Sequence, residues 1–311
     1  MEILGSTFDD SMFVEARDRE SVALKSYNAK VCEPQWYCVD VVLDTNDSLE
    51  KQKVMKFKGD LAVRKGEHQK AFDAYSACLE WISDNNLNIR RDVLEGMARC
   101  CIKRGQKDKA LDFVDLLNKE ASNTCHLTSL LLLKVSIYHH YGDVEAKISC
   151  LQQLCSLLPF NPWHWLDLGH TCLQLLGSVK TSESQKGHSC DLVKLPSSDE
   201  AAGLSEDTIW LKACTCFIRS RLLLRILQQQ QSSFVLKRSE KALEETDKAL
   251  QQLNPTETTI QSLIEVMSED LIPEKMREDY QDGESLATVC VQSFRERWWD
   301  RVVQTQTNTN S

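Results

Sequence analysis

Seven histidines, thirteen cysteines and a large excess of carboxylates are the groups in this sequence that could hold a metal, attack a substrate or move a proton. Their spacing decides which chemistry is open. His139 and His140 are adjacent in "SIYHHYG", and neighbours on a helix point about 100 degrees apart, too far to share one ion. His164 and His170 miss the three-to-four spacing that sets two ligands on one helical face. The cysteines form no CxxC pair. Cys32 and Cys38, the adjacent Cys100 and Cys101, Cys150 and Cys155, and Cys214 and Cys216 follow none of the spacings of a zinc ribbon or finger. Most fall within helical apolar patterns, where a free thiol behaves as a small buried hydrophobe. They read as reduced core residues, and neither a metal nor another cofactor is expected.

Catalytic patterns fare no better. "FKGDLAVRKG" carries two glycines but lacks the GK[ST] of a phosphate-binding loop and lies inside a helical pattern. No HExxH or nucleophile elbow is present. The carboxylates in "DVLEG" and "WLDLG" read as solvated or groove-lining, since an acid–base pair needs converging groups with perturbed titration. The expectation is a protein that is not an enzyme.

The elements that must position these residues are helices. Gly and Pro number 11 and 6 in 311 residues, and runs of Leu, Lys, Glu, Gln and Ala favour long helices over short strands. Around Gly66, taken as a turn, stand Gly59, Ala71, Tyr75 and Cys78; around Gly105, at the same offsets, stand Ala98, Ala110, Val114 and Leu117. A third copy centres on Gly142, with Lys147 in place of the small residue, and "NPWHWLDLGHTCLQLLG" opens a fourth through Trp165, Leu168, Gly169 and Cys172. These residues resemble the tetratricopeptide repeat, a helix-turn-helix unit of about 34 residues. Small residues let the paired helices approach, and each unit buries its apolar face only by stacking on the next. The resemblance implies an all-α fold, a tetratricopeptide-like helical-hairpin solenoid with a disordered insertion and C-terminal capping helices.

Composition supplies the boundaries. Residues 1–47 form an N-terminal arm, partly disordered, and 48–177 hold the repeats. The Ser-rich stretch 178–206 is a disordered insertion short of large apolar residues. Residues 207–303 continue as helices, with "LKRSEKALEETDKALQQLNP" exposed or marginal, and 304–311 are a disordered tail. "KFKGDLA", "RRDVLEGMARC", "CLQQLCSLLPFNPW" and "IEVMSEDLIPEKM" also resemble a narrower family of vertebrate proteins across nearly the whole chain outside the insertion. That resemblance implies tetratricopeptide-like helices and no particular activity.

Some tetratricopeptide cochaperones grip an acidic tail through five side chains. Lys56 matches that pattern, while Asp60, Gly96, Ser129 and Leu133 depart from it, and the acid at Asp60 would repel a carboxylate. A more general groove remains. Projection of the first helix of each unit places Asp60 and Arg64, then Glu95, Arg99 and Lys103, then Ser136 and His140, then Trp163, Asp167 and His170 on the concave side, suited to an extended peptide or a helix. Between Asp207 and Glu240 stand six basic residues and no acid; of these Lys212, Arg219, Arg221 and Arg225 form a basic helix that would dock an acidic partner. The aromatics Phe8, Phe13, Trp36 and Tyr37 of the arm are candidate anchors.

The formal net charge of −9 argues against a general nucleic-acid binder, which needs a positive surface to displace counterions. The acidic start lacks the form of a signal peptide, and no apolar run suits a membrane span. The expectation is a cytoplasmic or nuclear adaptor or scaffold with a protein partner and no membrane contact. The alternative is a nuclear nucleic-acid-associated protein using basic patches from Arg99 to Lys109 and from Lys212 to Arg225.

Overall fold

The computed structural model describes residues 47–83, 86–185, 205–230, 233–272, 276 and 289–309. The chain divides into two units, Met1–Val42 and Leu43–Ser311, and every described residue belongs to the second. The expected arm, with Phe8, Phe13, Trp36 and Tyr37, lies outside the described residues, as does most of the expected insertion.

Among the described residues there is no strand, and helices follow one another in hairpins. They are α1 (Ser48–Arg64), α2 (His68–Trp81), α3 (Leu87–Lys103), α4 (Lys107–Lys119), α5 (Thr124–Tyr141), α6 (Val144–Leu157), α7 (Pro162–Gln185), α8 (Glu206–Gln230), α9 (Ser233–Leu253) and α10 (Glu257–Ser268). The last, α11, covers residues 291–309 and joins Val291–Phe294 to Asp300–Thr309 through a π-helical turn, Arg295–Trp299. Each helix packs on the next from α1 to α9, while α3 also touches α1 on one side and α5 on the other, setting the three in a common layer.

Three of the hairpins close by one device. Gly66, Gly105 and Gly142 have φ of +77°, +72° and +72°, a left-handed conformation that glycine adopts without steric cost. The following N–H then reaches back across the turn: Glu67 to the Ala62 carbonyl, Gln106 to Cys101 and Asp143 to Tyr138, each at 2.9 Å. This satisfies carbonyls that a helix end would otherwise leave unpaired. Side-chain caps start several helices, with Asp47 accepting from the Leu49 N–H at 2.9 Å, Asn123 from His126 at 2.9 Å and Asp143 from Ala146 at 3.2 Å.

Helix α3 faces two ways. Its Val93, Met97 and Cys100 join Ala62, Ala71, Tyr75 and Cys78 of the first hairpin in one apolar cluster. Its Leu94, Ala98, Cys101 and Ile102 join Ala110 and Val114 of α4 and Leu130, Leu133 and Ile137 of α5 in a second. A third and larger cluster begins at Leu131 and Val135 on the other side of α5 and runs to Val302. Eight of the ten cysteines among the described residues are buried in this packing, leaving Cys125 and Cys290 exposed.

Lys147, the departure from the repeat pattern, is buried, and its ammonium reaches Asp167 of α7 at 2.7 Å. A long side chain therefore bridges the third and fourth hairpins where the pattern expects a small one. Gly169 lies under Phe217 of α8, where an added Cβ would meet the ring at 2.9 Å.

Three expectations need correction. The α7 helix runs on to Gln185, beyond the boundary expected at 177, because nothing in "SVKTSESQ" forbids a helix. The charged α9 is not marginal: Ser239, Ala242, Thr246, Ala249 and Leu250 are buried along one seam. Trp210 of α8 donates its indole N–H to the Leu253 carbonyl at 2.9 Å and fixes the α9 terminus. The segment expected as a tail is helical to Thr309, continuing a helix whose Phe294, Trp298, Trp299 and Val302 are buried. Trp165 is the centre of that contact, 5.5 Å from the Phe294 ring and 5.1 Å from Trp298.

Candidate functional site

The common layer of α1, α3 and α5 carries a groove of about 520 Å³. One end is formed by Val63 and His68, on either side of the Gly66 turn; α3 supplies Arg99, Cys100, Ile102 and Lys103, and α5 supplies Ser136, His139 and His140. The one-turn repeat of each helix sets these residues in rows. Arg99, Lys103, His139 and His140 are exposed, whereas Cys100 and Ile102 are buried and form an apolar floor. A smaller cavity of about 140 Å³ lies further back along α3 and α5, lined by Asp92, Glu95, Ser129 and Leu133 among others.

Four of the ten residues expected on the concave side, Arg99, Lys103, Ser136 and His140, line the larger groove. Glu95 lines the smaller cavity, and it accepts from Nε and Nη2 of Arg99 at 2.9 and 2.6 Å, so this one pair joins the two cavities. Arg64 is exposed near the first groove but lines neither. Asp60 is spoken for: it accepts from the Tyr75 hydroxyl at 2.8 Å and from Lys56 at 3.0 Å. Burial, with that bond to Asp60, holds the Tyr75 hydroxyl far above the usual phenol range.

Trp163, Asp167 and His170 are not part of this groove. Trp163 lies beneath the Arg238 guanidinium at 4.2 Å, Asp167 pairs with Lys147, and His170 meets the Phe217 ring edge-on at 5.2 Å. The groove also holds residues that the projection missed, Val63, His68, His139, Cys100 and Ile102. Val63 and His68 could have been found from the Gly66 turn, which brings the end of α1 beside the start of α2.

The basic helix presents no continuous cationic face. Arg219, expected on a docking face, is fully buried; it pairs with Asp270 at 2.5 and 3.2 Å and donates to the Met267 and Pro159 carbonyls at 2.5 and 3.3 Å. Helices α10 and α11 close over it, and Arg297 of α11 reaches the same Asp270 at 3.2 Å. Lys212 is half-buried over the Trp299 ring at 4.9 Å, and burial lowers its pKa. Arg221 is mostly covered and lies 3.7 Å from Asp247. Arg225 is exposed, one remnant of the expected strip.

The groove sets cationic and imidazole side chains around the buried Cys100 and Ile102. Burial pushes the Cys100 thiol up to about 11, so it stays protonated at neutral pH and is a poor nucleophile. Among the described residues, no group of three or more His, Cys, Asp or Glu side chains is placed to hold a metal ion, and no helix is long and apolar enough to cross a membrane.

The chain matches a family of unknown function (DUF5588) over residues 2–205 and 178–305. It is 34% identical over 358 aligned residues to the Homo sapiens protein named Uncharacterized protein C8orf76, covering 96% of this chain and 93% of that protein. To the Rattus norvegicus Uncharacterized protein C8orf76 homolog it is 31% identical over 351 residues, with the same coverage of 96% and 93%. These are the vertebrate proteins that the stretches quoted from the sequence resemble.

Proposed function

We propose that this chain, which belongs to the family of unknown function DUF5588, is a non-catalytic adaptor or scaffold subunit of an intracellular assembly, built from tetratricopeptide-type hairpins. It binds a peptide or helix of a protein partner along the face of α1, α3 and α5. One observation carries the reading: three successive hairpins present their first helices side by side, and the exposed ends of α3 and α5 meet in a groove of about 520 Å³. A groove between regularly packed helices takes an extended or helical segment, with the apolar floor giving affinity and the rim giving specificity.

The nucleic-acid alternative draws less support, because Arg219 is inside the core, Arg221 and Lys107 lie near carboxylates, and Arg104 rests over the Phe72 ring. The test is affinity purification with mass spectrometry on wild type, a Lys103→Glu/His140→Glu groove variant and a control Lys241→Glu on the exposed face of α9, all matched in thermal stability. Partners lost from the groove variant and kept by the control are expected. An identical set of partners in all three would overturn the groove as the binding face.

A further inference from the structure

We infer that the groove takes an acidic extended peptide, one that sets carboxylates against Arg99 and Lys103 and an aliphatic side chain against Val63 and Ile102. This rests on the groove reading above and adds the chemical class of the occupant. Every charged side chain that lines the groove is cationic. His68, His139 and His140 add imidazole donors, and no carboxylate is among the lining residues, in a chain whose net charge is −9. Lys103 is exposed and has no carboxylate partner among the described residues. Arg99 is held by Glu95 through Nε and Nη2 alone, so that pair orients the guanidinium while Nη1 stays open to a second acceptor.

The apolar component is equally local. Val63 is 37% exposed at the groove end and Ile102, only 4% exposed, is already buried in the floor, so a branched aliphatic side chain gains by covering Val63. In an extended peptide, side chains alternate between faces. A Glu-Val-Glu core can therefore meet the cations along one side of the groove and the floor along the other. Charges in so open a site are screened by salt, which makes the binding salt-dependent.

The probe is a fluorescein-labelled peptide with two Glu-Val-Glu triplets in a Gly-Ser background, compared by anisotropy with Gln-Val-Gln and Lys-Val-Lys versions on the full chain. Glu-Val-Glu should bind at least about tenfold more tightly than either, and weaken between about 50 and 200 mM salt. Lys103→Glu should remove that preference, and Arg99→Glu/Lys103→Glu should transfer it to Lys-Val-Lys. A photo-crosslinker on the valine should map to α3 and α5. Equal binding of Gln-Val-Gln at the same crosslinked site would overturn the acidic class and leave the groove reading intact. Glu-Val-Glu binding that is indifferent to Lys103→Glu and crosslinks elsewhere would overturn both. No binding by any peptide would overturn the inference, while the partner-capture test of the groove stands separately.

Discussion

Tyr75 packs its ring against two glycines at once. A Cβ on Gly59 would stand 2.4 Å from the ring, and one on Gly96 would stand 2.8 Å from its other edge. The ring is buried and its hydroxyl is tied to Asp60, so it cannot swing aside without losing that bond. Gly96→Ala gains about 1 kcal/mol of helix propensity but overpacks this contact at about 1–3 kcal/mol. The expected net is a loss of stability by urea denaturation. In a Tyr75→Leu background the clash is gone, and the same substitution should become neutral or stabilising. Equal effects in both backgrounds would show that the ring is not what confines Gly96. The need for a small residue at Gly59 was legible from its offset to the Gly66 turn. Gly96 was read only as a failed match to a tail-binding pattern, because the ring that explains it comes from another helix. Asp60 was read as facing the groove for the same reason, since the hydroxyl that engages it is contributed by α2.

At the scale of elements, the junction of α8, α10 and α11 replaces an expected docking strip with a buried ion pair. Removing one partner of such a pair strands the other, at about 3–5 kcal/mol, whereas replacing both with apolar groups is far less costly. Asp270→Ala should therefore lower the urea midpoint sharply. Adding Arg219→Met should restore part of the loss, though not all of it, because the Met267 and Pro159 carbonyls lose a donor. A double variant as unstable as the sum of the two singles would argue that the pair adds nothing beyond its separate contacts. Helix α8 itself was legible from its apolar periodicity. Its environment was not: a basic residue in a helical pattern reads as solvated unless one knows which elements cover it, and here the covering elements arrive from α10 and α11, late in the chain. Lys147 follows the same logic, a departure from a small-residue position whose partner Asp167 only the packing of α6 on α7 reveals.

At the scale of the molecule, the three apolar clusters among the described residues are linked in series through α3 and α5, each of which faces two of them. The order of hairpins was readable from the turn glycines, but sequence offsets between neighbours cannot show a contact that skips several elements. Helix α11 makes such a contact by packing on α6 and α10 and closing the Trp165 cluster. In a stack of nearest neighbours, stability is a sum over units and interfaces, and local units open separately. A segment that returns to earlier helices should join the units it spans. Hydrogen exchange on Gly96→Ala should then show faster exchange in α1, α2 and α3, with α6, α7, α8 and α11 unchanged. Trp298→Ala, which removes a large buried ring from the third cluster at about 3–5 kcal/mol, should loosen α6, α7, α8 and α11 together and leave α1 and α2 protected. Uniform loss of protection in both variants would mean that α3 and α5 transmit packing along the entire stack. The groove on α1, α3 and α5 would then share its stability with the C-terminal helices instead of resting on its own hairpins.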